Sequence, residues 1–273
     1  MKKRKINYRK IFLFITTLFF CVTFIISSIH IIKWLIDSKS TQNNIEKIKE
    51  DTKIEEKSDT ENTIIIDSDA ESDDPYWDYI KVNLIDVDFN DLKKVNSSIV
   101  GWIQVNGTNI NYPFVQTKNN TYYLTRSIDK TRNNAGWVFL DYRNNLKSSS
   151  DKNTIIYAHG RLDDTMFGSL RKVFTSGWLD NKDNYIIKLS NENENSLWQV
   201  FSLYKIPTTS DYLKINFKND SEFLKFAQML LKRSDYDFET NISSNDRILT
   251  LSTCYDNDTK IVLHAKLIKL EKK

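Results

Sequence analysis

An uncharged, mostly apolar run from Ile11 to Ile29 follows Lys2, Lys3, Arg4, Lys5, Arg9 and Lys10. As a helix rising about 1.5 Å per residue, it covers roughly the 30 Å of a bilayer core. Flanking basic residues stay cytoplasmic, so everything after the run is expected outside the cell membrane. The run is longer than the core of a cleaved signal peptide. It is followed by His30-Ile31-Ile32-Lys33-Trp34, where a cleavage site needs small residues. Residues 1–36 are therefore expected to be a cytoplasmic basic tail and an uncleaved signal anchor, in which Cys21 reads as a small apolar residue.

That reading limits the rest of the chain. The net charge of +3 hides a split, with the bases ahead of the anchor and acids dominating Glu46 to Asp74. No basic patch suited to nucleic acid appears. Residues 37–74 are mainly Ser, Thr, Asn, Glu, Lys and Asp, the composition of a disordered acidic tether, with at most a weak helix through Ile45 and Ile48. Residues 75–273 are long enough for one domain with a substantial core.

Within that domain the apolar pattern is short and strand-like. Candidate strands are Trp102 to Val105, Asn109 to Val115, Trp137 to Leu140, Thr154 to Tyr157, Tyr185 to Leu189, Leu197 to Ile206, Arg247 to Thr253 and Lys260 to Leu270. They are rich in Val, Ile, Tyr, Phe and Trp and are separated by Gly, Asn and Asp. The expectation is a mainly β fold, an eight-stranded closed or nearly closed barrel with peripheral helices. Asp88 can cap a helix carrying Phe89, Leu92 and Val95. Asp220 or Ser221 can cap another, with Phe223, Ala227, Leu230 and Leu231 on one face. A shorter helix is expected around Phe167 to Phe174.

Cys254 is the only cysteine outside the anchor, so its own domain offers no disulfide partner. In an oxidising compartment such a thiol is a liability unless it is reactive, which makes it the candidate nucleophile. Proton transfer then points to histidine. His30 lies at the membrane edge. His159 follows the strand ending at Tyr157 and precedes Gly160, where a rigid element runs out into a loop. His264 sits between Leu263 and Ala265 and reads as a partly exposed strand residue, so His159 is preferred. A cation should also meet the oxyanion formed when a thiolate attacks a carbonyl. If the strands ending at Thr253 and starting at Lys260 form a hairpin, Lys260 faces Cys254.

Thr250-Leu251-Ser252-Thr253-Cys254, followed by Ile261-Val262-Leu263-His264-Ala265-Lys266, resembles the active-site strand pair of the sortases, membrane-anchored cysteine transpeptidases of Gram-positive bacteria. The likeness runs from about Asp88 onward through Ile99-Val100-Gly101-Trp102, Asn111-Tyr112-Pro113, Asp141-Tyr142-Arg143-Asn144, Tyr157-Ala158-His159 and Thr165-Met166-Phe167-Gly168. The helix expected over Ser221 to Arg233, ahead of the cysteine strand, is similar to the extra helix of class B. The resemblance implies a sortase-type barrel in which Cys254 attacks the carbonyl after the threonine of a sorting motif and holds the product as a thioester. His159 would serve as general acid and base, and an amine of a cell-wall peptide would resolve the thioester. Partners would be surface proteins bearing a carboxyl-terminal sorting signal, the wall amine, and the membrane through the anchor; no cofactor and no metal is implied. By position, Asn120, Leu124, Thr208, Tyr212, Leu213 and Ser252 match residues lining the class B substrate groove.

The chain departs from the family at one position. The slot of the family arginine, immediately ahead of Ile261, holds Lys260, and the exchange is not conservative because lysine is a point donor on a flexible stem. Lys260, Lys266 or Arg247 could supply the cation, or the slot is unfilled and the domain is a weak or silent peptide-binding module. The loop from Tyr255 to Thr259 looks short. Asp74-Pro75-Tyr76 spells the lid signature of the class C pilus-assembling sortases, against which the extra helix speaks for class B.

Overall fold

The computed structural model of the chain describes residues 7–66, 75–147, 151–254 and 258–273. It divides into two units, up to Ser40 and from Thr41 onward. The first is helical: α1 (Tyr8–Asp51) begins there, its apolar side chains are exposed, and it is long and apolar enough to cross a membrane by length and composition.

The second unit carries the remaining elements. The strands are β1 (Ile54–Lys57), β2 (Thr63–Ile65), β3 (Leu84–Val87), β4 (Ile99–Val105), β5 (Asn111–Val115), β6 (Phe139–Leu140), β7 (Asn153–Tyr157), β8 (Ile186–Asn191), β9 (Glu194–Pro207), β10 (Ile248–Cys254) and β11 (Thr259–Lys272). The helices are α2 (Tyr76–Tyr79), α3 (Asn90–Val95), α4 (Ser176–Leu179) and α5 (Asp220–Lys232). Strands β10-β7-β6-β5-β4-β8-β9-β11 pair in that order, and β11 pairs again with β10, which closes an eight-stranded barrel. These are the eight strands expected from the sequence. Pairings β10–β7 and β5–β6 are parallel; the other barrel pairings are antiparallel.

Side chains alternate across a strand, so β10 and β11 divide between two apolar clusters. Leu249, Leu251, Ile261, Leu263 and Ala265 point into the barrel with Trp102, Phe114 and Trp137. Ile248 and Val262 point outward, beneath Phe223, Phe226, Ala227 and Leu230 of α5. Because both faces are covered, the two strands read as almost continuous apolar runs. The cap of α5 is Asn219, whose side chain accepts from the Glu222 amide, and not the expected Asp220 or Ser221. Asn219 has extended backbone geometry, as a cap requires, while Asp220 is already in the first turn. Phe89 and Leu92 of the first expected helix are buried, but Val95 is exposed and Asp88 accepts from Asn90 without capping. The segment Gly168–Phe174 is a 3₁₀ helix.

The expected disordered tether over 37–74 is corrected up to Ile66; residues 67–74, including Asp74 of the Asp-Pro-aromatic run, lie outside the described residues. Helix α1 persists to Asp51 with Thr41, Ile45 and Ile48 buried, a stripe at helical spacing. Thr41 accepts from Asn133 Nδ2 at 3.1 Å, and Asn44 donates to Ser127 at 2.9 Å. Strand β1 pairs with β3, and β2 pairs with the end of β11. Lys269, 0% exposed, donates to Asp59 Oδ1 at 2.6 Å and to the carbonyls of Ile80 and Val82. Beside that apolar stripe the segment is held by backbone and side-chain polar pairing, which an apolar pattern does not register.

Candidate active site

Three strand ends converge on Cys254. In the β10–β11 pair Cys254 lies directly opposite Lys260, which puts both side chains on one face. In the parallel β10–β7 pair Ser252 lies opposite Tyr157, so continuing two residues along both chains brings His159 beside Cys254. Gly160 allows this approach: a methyl group there would lie 2.0 Å from the Cys254 carbonyl oxygen. Gly136, at φ +63°, backs the histidine ring, and a methyl group on it would lie 3.0 Å from His159 Cδ2.

Lys260 Nζ donates to Cys254 Sγ at 2.8 Å. His159 Nε2 is 2.7 Å from the Leu124 carbonyl oxygen. A carbonyl can only accept, so Nε2 carries the hydrogen, and in the neutral ring Nδ1 keeps the lone pair. Cys254, His159 and Lys260 line one groove of about 660 Å³. Asn120, Leu124, Thr208, Tyr212, Leu213 and Ser252 line the same groove. All nine side chains singled out in the sequence are therefore brought together.

The other candidate cations are not. Lys266 pairs with Ile248 at the far end of β10, roughly 20 Å from Cys254 at about 3.3 Å per residue. Lys266 donates to the Asn241 carbonyl, and Arg247 is paired with Glu194. The expected partial exposure of His264 is also corrected. It is fully buried, hydrogen-bonded to the Tyr204 hydroxyl at 2.8 Å and to Thr250 Oγ1 at 2.9 Å. Burial, and then the charge of Arg233, push it down to about 3, so it is a neutral core histidine. Residues 255–257 of the loop that looked short lie outside the described residues.

Sequence reading did not anticipate the support beneath the groove wall. Asp141, 0% exposed, accepts two hydrogen bonds from the Arg143 guanidinium at 2.8 Å, one from the Arg143 amide, one from Tyr157 Oη at 2.9 Å and one from Asn120 Nδ2 at 3.0 Å. Burial alone would raise its carboxyl. The bonds from Arg143, Tyr157 and Asn120 outweigh burial and hold it below the ordinary carboxylate range. Asn120 Oδ1 also accepts from the Tyr142 amide, which fixes the side-chain amide on both ends. Arg143 reaches on to the Leu213 carbonyl, and Asn153 ties down the carbonyls of Tyr212 and Lys214. The groove walls are thus clamped before anything binds.

A family model for the sortase domain matches residues 103–268. The chain belongs to the sortase family. It is 38% identical over 186 residues to sortase B of Staphylococcus aureus, covering 67% of this chain and 75% of that one. It is 33% identical to sortase B of Listeria monocytogenes, covering 66% and 74%. Among solved structures, sortase B of Bacillus anthracis superposes with a TM-score of 0.68 at 30% identity, over 86% of this chain and 99% of that one. The S. aureus sortase B–substrate complex gives 0.62 at 37%, over 66% and 84%. The sortase is thereby a cysteine transpeptidase, and its relatives are of class B.

Proposed function

We propose that this sortase cleaves a sorting motif after its threonine, carries the acyl group as a thioester on Cys254, and passes it to a peptide amine of the cell wall. Cys254 is the nucleophile. His159 is the general acid and base, protonating the leaving amine and then deprotonating the incoming one through Nδ1, since Nε2 is tied to Leu124. Lys260 supplies the cationic donor for the oxyanion in place of arginine. The contact of 2.8 Å between Lys260 Nζ and Cys254 Sγ, in a groove shared with His159, carries this reading.

Asn120, Leu124, Thr208, Tyr212, Leu213 and Ser252 receive the motif in an extended conformation. The partners are surface proteins with a carboxyl-terminal sorting signal and a wall-peptide amine. Relatives solved with a substrate and with triglycine support both halves of that pairing. The apolar stretch of α1 anchors the chain with its amino terminus in the cytoplasm and the catalytic domain outside. Replacing Cys254 with Ala should abolish both sorting-peptide cleavage and labelling by a methanethiosulfonate. Cleavage at the wild-type rate by that variant would refute the assignment.

A further inference from the structure

Placing lysine where the family has arginine keeps a cation beside the nucleophile, but it also adds a second nucleophile. A guanidinium stays charged at any physiological pH, whereas a lysine amine can lose its proton and attack a carbonyl. Lys260 Nζ lies 2.8 Å from Cys254 Sγ, and the acyl carbon of a thioester would sit one covalent bond from that sulfur. The two residues are direct cross-strand partners, so their backbones hold the amine and the acyl carbon together without any loop closing.

We propose that Lys260 is an internal acceptor: when no external amine resolves the Cys254 thioester, the acyl group moves from sulfur to Lys260 Nζ. This rests on the reading of Cys254 as the acyl-carrying residue. In the step, the free-base amine attacks the thioester carbonyl and the new C–N bond forms as the C–S bond breaks. The electron pair leaves on Sγ, and the surplus amine proton goes to that thiolate. The products are an Nε-acyl lysine and a free cysteine thiol, with no oxidant or co-reactant consumed.

Proximity decides whether the step competes. Well-oriented intramolecular reactions reach effective molarities of about 10⁵–10⁸ M, so an amine held this close to the acyl carbon rivals a dilute external amine. The consequence is self-limitation. Acylated Lys260 has lost its charge, so the oxyanion donor is gone, and the retained acyl chain fills the groove. A thioester is reversible by any passing amine, whereas an amide is not, so the enzyme stops after a turnover for which no acceptor arrives.

The sorting motif is not needed for the test. Phenyl thioacetate, an activated thioester, transfers its acetyl group to a reactive cysteine whatever the peptide specificity. The full chain in detergent is exposed to it briefly and followed by intact mass, with and without hydroxylamine, which cleaves thioesters and leaves amides. The expected course is an acetyl adduct that is first removed by hydroxylamine and later resists it, with peptide mapping placing the resistant acetyl on Lys260. Lys260→Arg should accumulate only the removable adduct. Cys254→Ala should leave Lys260 acetylated no faster than the surface lysines. A wild-type adduct that stays removable until it hydrolyses would overturn the inference while leaving Cys254 as the acyl carrier. Equal acetylation of Lys260 in Cys254→Ala would overturn it as well. If Cys254 never takes the acetyl group, the proposed function itself fails, and the internal acceptor falls with it.

Discussion

Gly160→Ala tests whether the approach of β7 to β10 sets the catalytic geometry. The added methyl would lie 2.0 Å from the Cys254 carbonyl oxygen and 3.0 Å from Thr253 Oγ1. The closest ordinary carbon–oxygen contacts are about 3.3 Å, so the two chains must part by roughly 1 Å. Both obstructing groups belong to β10 or its end, and the nearer one is backbone, so no side-chain rotation relieves the clash. Overpacking of this kind costs about 1–3 kcal/mol. In a domain of this size that lowers Tm by about 2–12 °C, at about 2–4 °C per kcal/mol. His159 is the adjacent residue and moves with the displaced chain, and a misplacement of about 1 Å costs on the order of 100-fold in rate. Steady-state cleavage of a sorting peptide should show the loss mainly in kcat, with Cys254 still labelled by a methanethiosulfonate. Gly177→Ala is the control, because nothing lies within 4 Å of the added methyl, and it should leave kcat unchanged. A Gly160→Ala enzyme with kcat within about threefold of wild type, far inside the loss that 1 Å predicts, would refute the argument.

Other substitutions probe the remaining parts of the structure. Lys260→Ala should slow acylation by about 100-fold to 1000-fold, the usual worth of one oxyanion donor, while Lys260→Arg keeps or raises it; pre-steady-state thioester formation measures both. Ile48→Ala, at a position 6% exposed, should cost about 2–3 kcal/mol, and deletion of residues 1–74 should lower Tm further than deletion of residues 1–40. Equal Tm values for the two deletions, by calorimetry, would return the segment to a tether. The folded Asp141 carboxyl titrates below its ordinary value, so its stabilisation is complete above about pH 4 and is lost as pH falls through the folded value. Asp141→Asn should therefore flatten the acid limb of Tm against pH below about 4 and lower Tm at pH 7. An unchanged acid limb would show that the carboxylate is not what the clamp depends on.

The barrel was legible because its signal is local. Each of the eight strands carries β-branched or aromatic residues in a run between turn residues, and burial on both faces strengthens that run. The segment from Thr41 to Ile66 was not legible because its order comes from partners far away in the chain. Asp59 is ordered by Lys269 and Thr60 by Glu271, and neither pairing leaves a periodic mark in sequence. Ile45 and Ile48 do carry helical spacing, but the polar residues between them dilute it. His264 was misjudged for a related reason. Its strand neighbours indicated alternation, yet nothing local indicated that α5 and Tyr212 would cover the outward face as well.

The site separates what spacing can establish from what it cannot. The separation between Cys254 and Lys260 was enough to suggest a cross-strand pair, because an antiparallel hairpin turns sequence distance into contact, and the register bears that out. Asp141 offered no such route. Its partners come from the loop holding Asn120, from its own turn at Arg143 and from β7 at Tyr157, so its role appears only when three segments meet. In sequence, Asp141-Tyr142-Arg143-Asn144 was only a marker of resemblance. In the fold it is the brace that fixes the amide of Asn120 and the hydroxyl of Tyr157 at the groove wall. Lys260 is the reverse case, since its position was readable but its consequence was not. A donor held 2.8 Å from the sulfur serves the oxyanion as arginine would. Because that donor is an amine, the same distance also puts a competitor to the external acceptor inside the site.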